Sequence, residues 1–282
     1  MLRETFEFLK VGLIPSDDDP RPLYALLHEK NLPGRDSRFI NLGYWADEQT
    51  VEFDEASRAL AHLLAKAAEL QSARSILDVG FGYGDQLLEW LALGDPERIV
   101  GVNLAEEQVR HAKRALSTHP RGRRVELSLA SASSLPVRDG SMDRVIALES
   151  AFHFSPRSQF FAEAFRALEP GGRIATADIL LMPNQRVGWP FTTAWRIPSA
   201  NLHDREEYAR QLEAAGFVDV NVESIRERVF DPLVDHLAHR LQQPDVQARM
   251  NPVLRAVCSS PRVARPILRR FDYVIATAQK PR

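Results

Sequence analysis

Short apolar runs alternate with amphipathic segments along most of this chain. Continuous apolar runs predict strands, whereas apolar residues that recur every three or four positions predict helices. On this basis we predict strands near residues 75–79, 98–103, 124–129, 143–148, 172–179, 217–226 and 271–278. Helices are predicted near residues 85–93, 105–117, 157–168 and 205–215, with a mixed helical stretch at 231–257. Because strands and helices alternate, the sequence favours an α/β fold with a doubly wound, mostly parallel sheet and right-handed crossovers.

Two segments interrupt this alternation and define the predicted domain organisation. Residues 1–53 contain no clear strand, and we expect them to form an N-terminal helical lid with a short helix near 20–30. Residues 54–282 then form the main domain, whose first helix would be capped by Asp54. Residues 182–203, after the fifth strand, are rich in proline and aromatic residues. Such a connection is typical either of a pocket wall or of a surface loop whose aromatic side chains are buried in the core.

Composition and charge exclude several classes of protein. With 44% hydrophobic and 26% charged residues, the chain has the composition of an ordinary globular protein. A formal charge of −2 gives no general attraction to nucleic acid, so we expect no nucleic-acid partner. The N-terminal residues lack the apolar core of a signal peptide, and no apolar run approaches the roughly 20 residues of a membrane span. Together with the single cysteine, Cys258, this predicts a cytoplasmic protein without a membrane partner; a homo-oligomer stays open.

The connection after the first predicted strand carries the first candidate chemistry. In the run Ile76-Leu77-Asp78-Val79-Gly80-Phe81-Gly82-Tyr83-Gly84, an apolar strand ends in an acid and three glycines follow at alternate positions. Glycine lets the backbone turn sharply and lets a ligand contact the main chain, and the following helix adds unpaired N–H groups. The run therefore indicates a nucleotide-type site, although a glycine-rich turn without a ligand has the same pattern. The spacing differs from the Gly-x-Gly-x-x-Gly of dinucleotide-binding proteins, which disfavours a dehydrogenase.

The glycine run and three later segments resemble the S-adenosylmethionine-dependent methyltransferases. The later segments are Asn103-Leu104-Ala105-Glu106-Glu107-Gln108, Ala130-Ser131-Ala132-Ser133-Ser134-Leu135-Pro136 and Leu168-Glu169-Pro170-Gly171-Gly172. All of these matches fall in the family's order within residues 75–180. The resemblance implies S-adenosylmethionine as the cofactor and a Rossmann-like, doubly wound, mostly parallel sheet of seven strands.

The same resemblance assigns residues to the cofactor. Asp78 is expected to order its ammonium group, and the glycine loop is expected to contact its methionine half. Asn103 stands where many members place an acid on the ribose hydroxyls, and it would hold the ribose together with Gln108 through amide groups. Ser131 replaces the usual aspartate beside the adenine and, being uncharged, is expected to accept a weaker hydrogen bond. The full set is Asp78, Gly80, Gly82, Asn103, Leu104, Gln108, Ser131 and Ala132.

Four more segments narrow the resemblance to a group within this family. They are Asn41-Leu42-Gly43-Tyr44-Trp45, Leu148-Glu149-Ser150-Ala151-Phe152-His153, Ala215-Gly216-Phe217-Val218-Asp219-Val220 and Phe271-Asp272-Tyr273-Val274-Ile275-Ala276. As a set they look like the O-methyltransferases of macrolide and other polyketide pathways, including the type that methylates a sugar hydroxyl. This implies metal-independent methylation of a small-molecule acceptor, with residues 182–203 as the acceptor-site insertion. The residues assigned to the acceptor are Tyr44, Trp45, Trp189, Trp195 and His203.

Methylation of a hydroxyl also needs a base, because an aliphatic hydroxyl is a poor nucleophile until its proton is removed. His153 is the candidate base, since an ordinary histidine pKa of roughly 6.5 leaves it mostly neutral in the cytoplasm. Glu149 is the second catalytic candidate, either orienting His153 or lining the methionine end of the cofactor. His203 is a reserve base. A packed, hydrogen-bonded His153 with no catalytic role is the structural alternative.

Other functions share the same cofactor motifs. A C-methyltransferase of an isoprenoid diphosphate or an aromatic molecule would use Glu149 or His153 to remove a proton after methyl transfer. The candidate ligands of a diphosphate are Arg262, Arg265, Arg269 and Arg270. A cofactor-binding protein without catalysis is also compatible with the sequence. No grouping of histidine, cysteine and carboxylate residues has the spacing of a metal site, so no metal is predicted.

Overall fold

The computed structural model describes residue 23, residues 31–46, residues 52–188, residue 192 and residues 195–282. Within these residues the chain forms one seven-stranded sheet with helices on both faces. The strands are β1 (Ser75–Val79), β2 (Arg98–Asn103), β3 (Val125–Leu129), β4 (Met142–Leu148), β5 (Leu168–Leu181), β6 (Val218–Ser224) and β7 (Phe271–Gln279). The helices are α1 (Phe53–Ala67), α2 (Asp85–Leu93), α3 (Glu106–Ser117), α4 (Arg157–Ala167), α5 (Arg205–Ala214), α6 (Phe230–Arg240), α7 (Pro244–Arg249), α8 (Pro252–Cys258) and α9 (Pro261–Leu268).

The order of the strands across the sheet is β3-β2-β1-β4-β5-β7-β6. Strands β1 to β5 are parallel, and β7 is antiparallel to both of its neighbours. This confirms the predicted α/β class, the seven strands and the mostly parallel sheet. The order reverses between β1 and β4, and the crevice at the carboxyl ends of strands at such a point is where doubly wound folds bind ligands.

Apolar side chains cover both faces of the sheet and hold its strands in register. On β1, Ile76 packs in the cluster that includes α1, α2 and α3, whereas Leu77 and Val79 pack in the cluster that includes α4 and α5. Alternate residues of a strand point to opposite faces, so a continuous apolar run is buried on both. The register places Asp78 beside both Gly101 of β2 and Ile146 of β4, and the three strands therefore end at one edge.

Two element boundaries and one helix differ from the sequence-based expectation. Helix α1 begins at Phe53, and Asp54 does not cap it, because its carboxylate accepts hydrogen bonds from the backbone N–H groups of residues 35–37. Strand β5 begins earlier than predicted, at Leu168, which pairs with β4 ahead of a register shift. The sequence pattern does not predict α9, because Pro266 lies inside it and proline disfavours a helix interior.

Residues 31–46 of the N-terminal segment contain no α-helix. They are anchored to the domain by hydrogen bonds to their backbone: Arg249 donates to the carbonyls of Leu32 and Gly34, and Leu42 N–H donates to Glu149. The helix expected near 20–30 lies outside the described residues, except for Leu23. The division into a lid of residues 1–53 and a main domain stays a prediction.

Candidate active site at the carboxyl edge of the sheet

A cavity of about 690 Å³ lies at the carboxyl edge of the sheet. The loop after β1, the end of β2, the start of α3 and the connection after β4 contribute to its wall, and residues 38–42 of the N-terminal segment lie against it. The sheet thus brings together most of the residues that the sequence singles out. They are Gly80, Gly82, Asn103, Leu104, Gln108, Ser131, Ala132, Glu149, His153 and Trp195.

The glycine loop needs its glycines for two different reasons. Gly80 has a φ of 88° and its N–H donates to the carbonyl of Val102 at 2.7 Å, and a side chain at this position would collide with Ser150. Gly82 has a φ of 57°, and the nearest atom to a Cβ built there is Ile40 Cδ1, at 3.6 Å. The loop is therefore closely packed at Gly80 but open to the cavity at Gly82, where a ligand can contact the backbone.

Asp78 lies behind the glycine loop and holds helix α2. Its two carboxylate oxygens accept hydrogen bonds from Gln86 Nε2 at 2.9 Å, and one also accepts from Trp90 Nε1 at 2.7 Å. Burial raises the pKa of this carboxyl group to about 6, although both donors act in the opposite direction. Among the described residues, Gln86 lines the cavity and Asp78 does not. The expected contact of Asp78 with the ammonium group stays a prediction.

The amide groups of Asn103 and Gln108 form the next part of the wall. Asn103 Oδ1 accepts from Ala105 N–H at 3.0 Å, and its Nδ2 donates to Gln108 Oε1 at 2.8 Å and to the carbonyl of Gly82 at 3.3 Å. Gln108 Nε2 is buried, and among the described residues it has no hydrogen-bond partner. A buried donor without a partner is costly, so this one suits a ligand acceptor such as a ribose hydroxyl oxygen.

Another part of the cavity wall combines an exposed apolar side chain with small polar ones. Leu104 is 41% exposed beside the cavity, where a flat apolar ring can cover it. Ser131 Oγ lies 2.8 Å from Ser133 Oγ and accepts from the Ser133 N–H at 3.2 Å. Ser131, Ser133 and the buried Ala132 all line the cavity, and the expected contact of Ser131 and Ala132 with the adenine stays a prediction.

His153 lies in a short 3-10 turn, Ala151–His153, directly after β4. The residue is buried and lines the cavity. Its Nδ1 lies 2.9 Å from the carbonyl oxygen of Arg196. Because a carbonyl only accepts, Nδ1 must carry the proton, and Nε2 then has the lone pair. Burial lowers the pKa of His153 to about 4, so the ring is neutral throughout the physiological range.

Glu149 directly follows β4 and has a left-handed conformation, with a φ of 49°. One oxygen, Oε1, accepts from Leu42 N–H at 2.7 Å and from the Tyr273 hydroxyl. Burial raises the pKa of Glu149 to about 8, and the nearby Asp178 carboxylate adds to the effect. The carbonyl of Arg196, and not Glu149, supplies the hydrogen bond that orients His153, so Glu149 is better placed to line the methionine end.

The raised pKa of Glu149 predicts how stability depends on pH. The unfolded state loses this proton near its ordinary pKa of roughly 4.3, whereas the folded state keeps it up to about 8. The contribution of Glu149 to folding is therefore complete below pH 4 and is lost as the pH rises to 8. Glu149→Gln keeps an acceptor oxygen and cannot ionise, so its Tm should gain several degrees on wild type between pH 5 and pH 8.

Thermal melts of both proteins across this range test the prediction. Glu107→Gln, the same change at an exposed position of α3, is the matched control and should follow the wild-type curve. A Tm difference for Glu149→Gln that does not change with pH would contradict the neutral carboxyl group.

Of the five residues expected at the acceptor, the structure describes four, and one of these lines the cavity. Trp195 lines the cavity and stacks on Phe271 with ring centroids 5.3 Å apart. Of the described residues, Tyr44, Trp45 and His203 are not among those lining it: Trp45 packs against Phe53 in a separate cluster, for example. Trp189 lies outside the described residues.

Sequence reasoning missed several parts of the wall. These are residues 38–42 of the N-terminal segment, Phe154 and Pro156 after the His153 turn, and Cys258 at the end of α8. The segment Asn41-Leu42 did carry a signal, since it opens one of the motifs of the resemblance. Cys258 carried none, because its place on the cavity follows from how α8 packs. Burial raises the pKa of its thiol to about 11, so it is not a thiolate nucleophile.

Comparison with known proteins identifies the class. A family described as a methyltransferase domain matches residues 77–176, from β1 into β5. The solved structure of the cyclase SpnF aligns with a TM-score of 0.75 at 23% identity, covering 95% of this chain and 97% of that one. The cyclopropane synthase MmaA2 from Mycobacterium tuberculosis also gives 0.75, at 19% identity and 98% of both chains. At this identity the two structures establish the Rossmann-like methyltransferase fold.

Curated relatives then identify the family. Erythromycin 3''-O-methyltransferase from Saccharopolyspora erythraea is 37% identical and covers 92% of this chain and 88% of its own. The 27-O-demethylrifamycin SV methyltransferase from Amycolatopsis mediterranei is 34% identical over 51% of this chain and 53% of its own. The chain therefore belongs to the natural-product O-methyltransferases and is an S-adenosylmethionine-dependent O-methyltransferase. The predicted enzyme class and cofactor are confirmed.

The cavity fits this cofactor. Its wall offers open glycine backbone at Gly82, a buried donor without a described partner on Gln108 and the exposed apolar side chain of Leu104, the kinds of contact that a cofactor with polar and flat apolar parts needs. No helix in the described residues is long and apolar enough to cross a membrane.

Proposed function

We propose that this enzyme transfers the methyl group of S-adenosylmethionine to a hydroxyl of a polyketide or macrolide, or of a sugar attached to one, with His153 as general base. The observation that carries the base assignment is His153 itself, a buried neutral histidine with its lone pair on Nε2. It borders the same cavity as the glycine loop. The acceptor class is supported by the erythromycin and rifamycin methyltransferases among the relatives.

With its lowered pKa, His153 is a weak base, and the proposed reaction needs no stronger one. The bound cofactor supplies an electrophilic methyl group on a sulfonium. As the acceptor oxygen bonds to that carbon, its own proton becomes strongly acidic, so His153 Nε2 needs to accept it only late in the transfer. The carbonyl of Arg196 then stabilises the imidazolium through Nδ1–H, which partly offsets the cost of a buried positive charge.

The pocket wall supports an acceptor with an apolar surface next to its hydroxyl. Phe152, Ile179 and Trp195 line the cavity on the side of His153. A pocket of this kind recognises a ligand by apolar contact and leaves orientation to a few polar groups. Only the ring that bears the hydroxyl needs to enter, and the rest of a large acceptor can lie outside the cavity.

A diphosphate-bearing acceptor is less well supported. Among the described residues, none of the four candidate arginines lines the cavity. Arg265, for example, forms ion pairs with Asp231 and Asp235 on the neighbouring helix α6. Arg38 is the arginine on the described wall, and its backbone N–H bonds to Asp85. The arrangement therefore favours O-methylation of an uncharged molecule over C-methylation of an isoprenoid diphosphate.

Three further expectations belong to this proposal. The enzyme is taken to be cytoplasmic, to act on a small molecule without a nucleic-acid partner, and to need no metal. The described residues contain no group of three histidine, cysteine or carboxylate side chains that could hold a metal ion. The number of subunits stays open.

The proposal is tested by turnover of S-adenosylmethionine with a radiolabelled methyl group. Acceptors are erythromycin lacking the 3''-O-methyl group, rifamycin SV lacking the 27-O-methyl group and geranyl diphosphate, each with and without saturating EDTA. We expect an EDTA-resistant O-methyl product from at least one of the two polyketides. Product only with the diphosphate, or activity that EDTA abolishes and Mg²⁺ restores, would contradict the proposal. Cofactor binding without turnover of any acceptor would favour the non-catalytic alternative.

A further inference from the structure

Asn201 holds the backbone on both sides of His153. It is 1% exposed and lies in the connection between β5 and α5. Its Nδ2 group donates to the carbonyl of Phe152 at 3.0 Å and to the carbonyl of Phe154 at 2.6 Å, and its Oδ1 accepts from Arg157 N–H at 3.0 Å. Two carbonyls face the nitrogen and one N–H faces the oxygen, so these partners define the orientation of the amide.

A second contact from the same connection holds the ring. The carbonyl of Arg196 accepts the hydrogen bond from His153 Nδ1. Asn201 therefore restrains the backbone of the turn, whereas Arg196 restrains the rotation of the imidazole. A histidine with both its backbone and its ring restrained has Nε2 at a defined position relative to the cavity.

We propose that Asn201 is a positioning residue for methyl transfer, which acts by keeping His153 Nε2 aligned with the acceptor hydroxyl. This rests on the proposed role of His153 as the base. A base works only within hydrogen-bond reach of the proton it removes, roughly 2.6–3.2 Å. A shift of about 1 Å in a reacting group can lower the rate about 10²-fold, so a residue that never contacts the acceptor can still control it.

The connection from β5 to α5 thereby has a second role beside forming the pocket wall. Trp195, which lines the cavity, precedes Arg196 directly in the chain. An acceptor that packs on Trp195 therefore contacts the same segment that orients the base. This arrangement makes acceptor fit and base alignment depend on one another.

The test is a double-mutant cycle with Asn201→Ala, His153→Ala and the double variant. With erythromycin lacking the 3''-O-methyl group as acceptor, Asn201→Ala should lower kcat about 10- to 100-fold and leave the Kd of S-adenosylmethionine within about twofold. In the His153→Ala background the same change should lower kcat no further, because the residue acts through the base. Ser75→Ala, which removes the hydrogen bond that Ser75 Oγ accepts from Asp143 N–H at the opposite edge of the sheet, controls for lost stability and should keep wild-type kcat.

A second measurement needs no acceptor. In protein labelled with ¹⁵N-histidine, the two ring nitrogens of His153, assigned by their loss in His153→Ala, should report a fixed Nδ1–H tautomer in wild type. Without the Asn201 contacts the turn should move relative to the Arg196 carbonyl that holds Nδ1–H, so in Asn201→Ala the two signals should move together as both tautomers exchange. Ser75→Ala should keep the wild-type separation. If Asn201→Ala does not fold, Asn201→Ser, which replaces the amide by a single hydroxyl, takes its place.

The outcomes separate this inference from the role of the base. A wild-type tautomer separation in folded Asn201→Ala, or a loss of kcat that is equally large in the His153→Ala background, overturns the positioning role. A His153→Ala enzyme with nearly wild-type kcat would instead overturn the base assignment, whatever Asn201 does.

Discussion

Replacing His153 by alanine is expected to lower kcat by roughly 10²- to 10⁴-fold, the usual contribution of a single general base. The Kd of S-adenosylmethionine should change little, because in the proposed arrangement the imidazole serves the acceptor, whereas the glycine loop on the same cavity holds the cofactor. Steady-state kinetics with a polyketide acceptor and calorimetry with the cofactor measure the two quantities. Both should be corrected for the folded fraction by thermal melts.

The pH dependence provides an independent check on the same residue. Burial lowers the pKa of His153 to about 4, so the ring loses its proton far below neutrality. The wild-type kcat/KM should therefore lack a step near pH 6.5, the ordinary pKa of histidine, and should fall only towards pH 4. A step near 6.5 that disappears in His153→Ala would show that the imidazole is more hydrated than in this structure.

Two further histidine variants make the result decisive. His119→Ala, at a turn after α3, is the matched control and should retain wild-type kcat. His203→Ala tests the reserve base, whose side chain is not among the described lining of the cavity. If His153→Ala keeps more than about a tenth of the wild-type rate, below the range of a general base, His153 is a packing residue.

Gly82→Val is expected to abolish detectable binding of S-adenosylmethionine while the protein stays folded. A Cβ at this position enters the open side of the loop, where Ile40 Cδ1 is the nearest described atom. The branched side chain therefore occupies the space in which the cofactor contacts the backbone. Calorimetric titration of the folded variant measures the loss.

The matched control for this change is Gly140→Val. Gly140 has a φ of 60°, close to the 57° of Gly82, and a Cβ built there has no described atom within 4 Å. Both variants thus carry the same backbone strain, but only one extends into the cavity. Gly140→Val should bind the cofactor normally, and undiminished binding by folded Gly82→Val would contradict the assignment of the glycine loop.

The sequence alone was sufficient for the features that depend on local pattern. Alternating apolar runs and amphipathic segments predicted the seven strands and the parallel core, because burial on both faces of a strand leaves a continuous apolar signature. The glycine loop could also be predicted from the sequence, since positive φ values at alternate positions favour glycine. Local pattern failed at α9, where Pro266 concealed a helix that forms nevertheless.

The roles of individual site residues required the tertiary structure. Asp54 had the sequence context of a helix cap, but its carboxylate binds a backbone segment 17–19 residues earlier. Asn103 had the position of a ribose ligand, but its amide also binds Gln108 and the glycine loop. A polar side chain can form hydrogen bonds with several possible partners, and the segments that pack beside it in the folded chain determine which of them it binds.

The electrostatic state of the catalytic candidates was decided by folding as well. From the sequence, Glu149 is an ordinary carboxylate and His153 an ordinary imidazole. In the structure, burial raises the carboxyl pKa of Glu149 to about 8, although the hydrogen bonds from Leu42 and Tyr273, 107 and 124 residues away in the chain, act in the opposite direction. Burial lowers the pKa of His153 to about 4, although the hydrogen bond to the Arg196 carbonyl acts in the opposite direction. Sequence determined which groups reach the edge of the sheet, whereas desolvation and long-range partners, which only the folded chain brings together, determined their protonation and orientation.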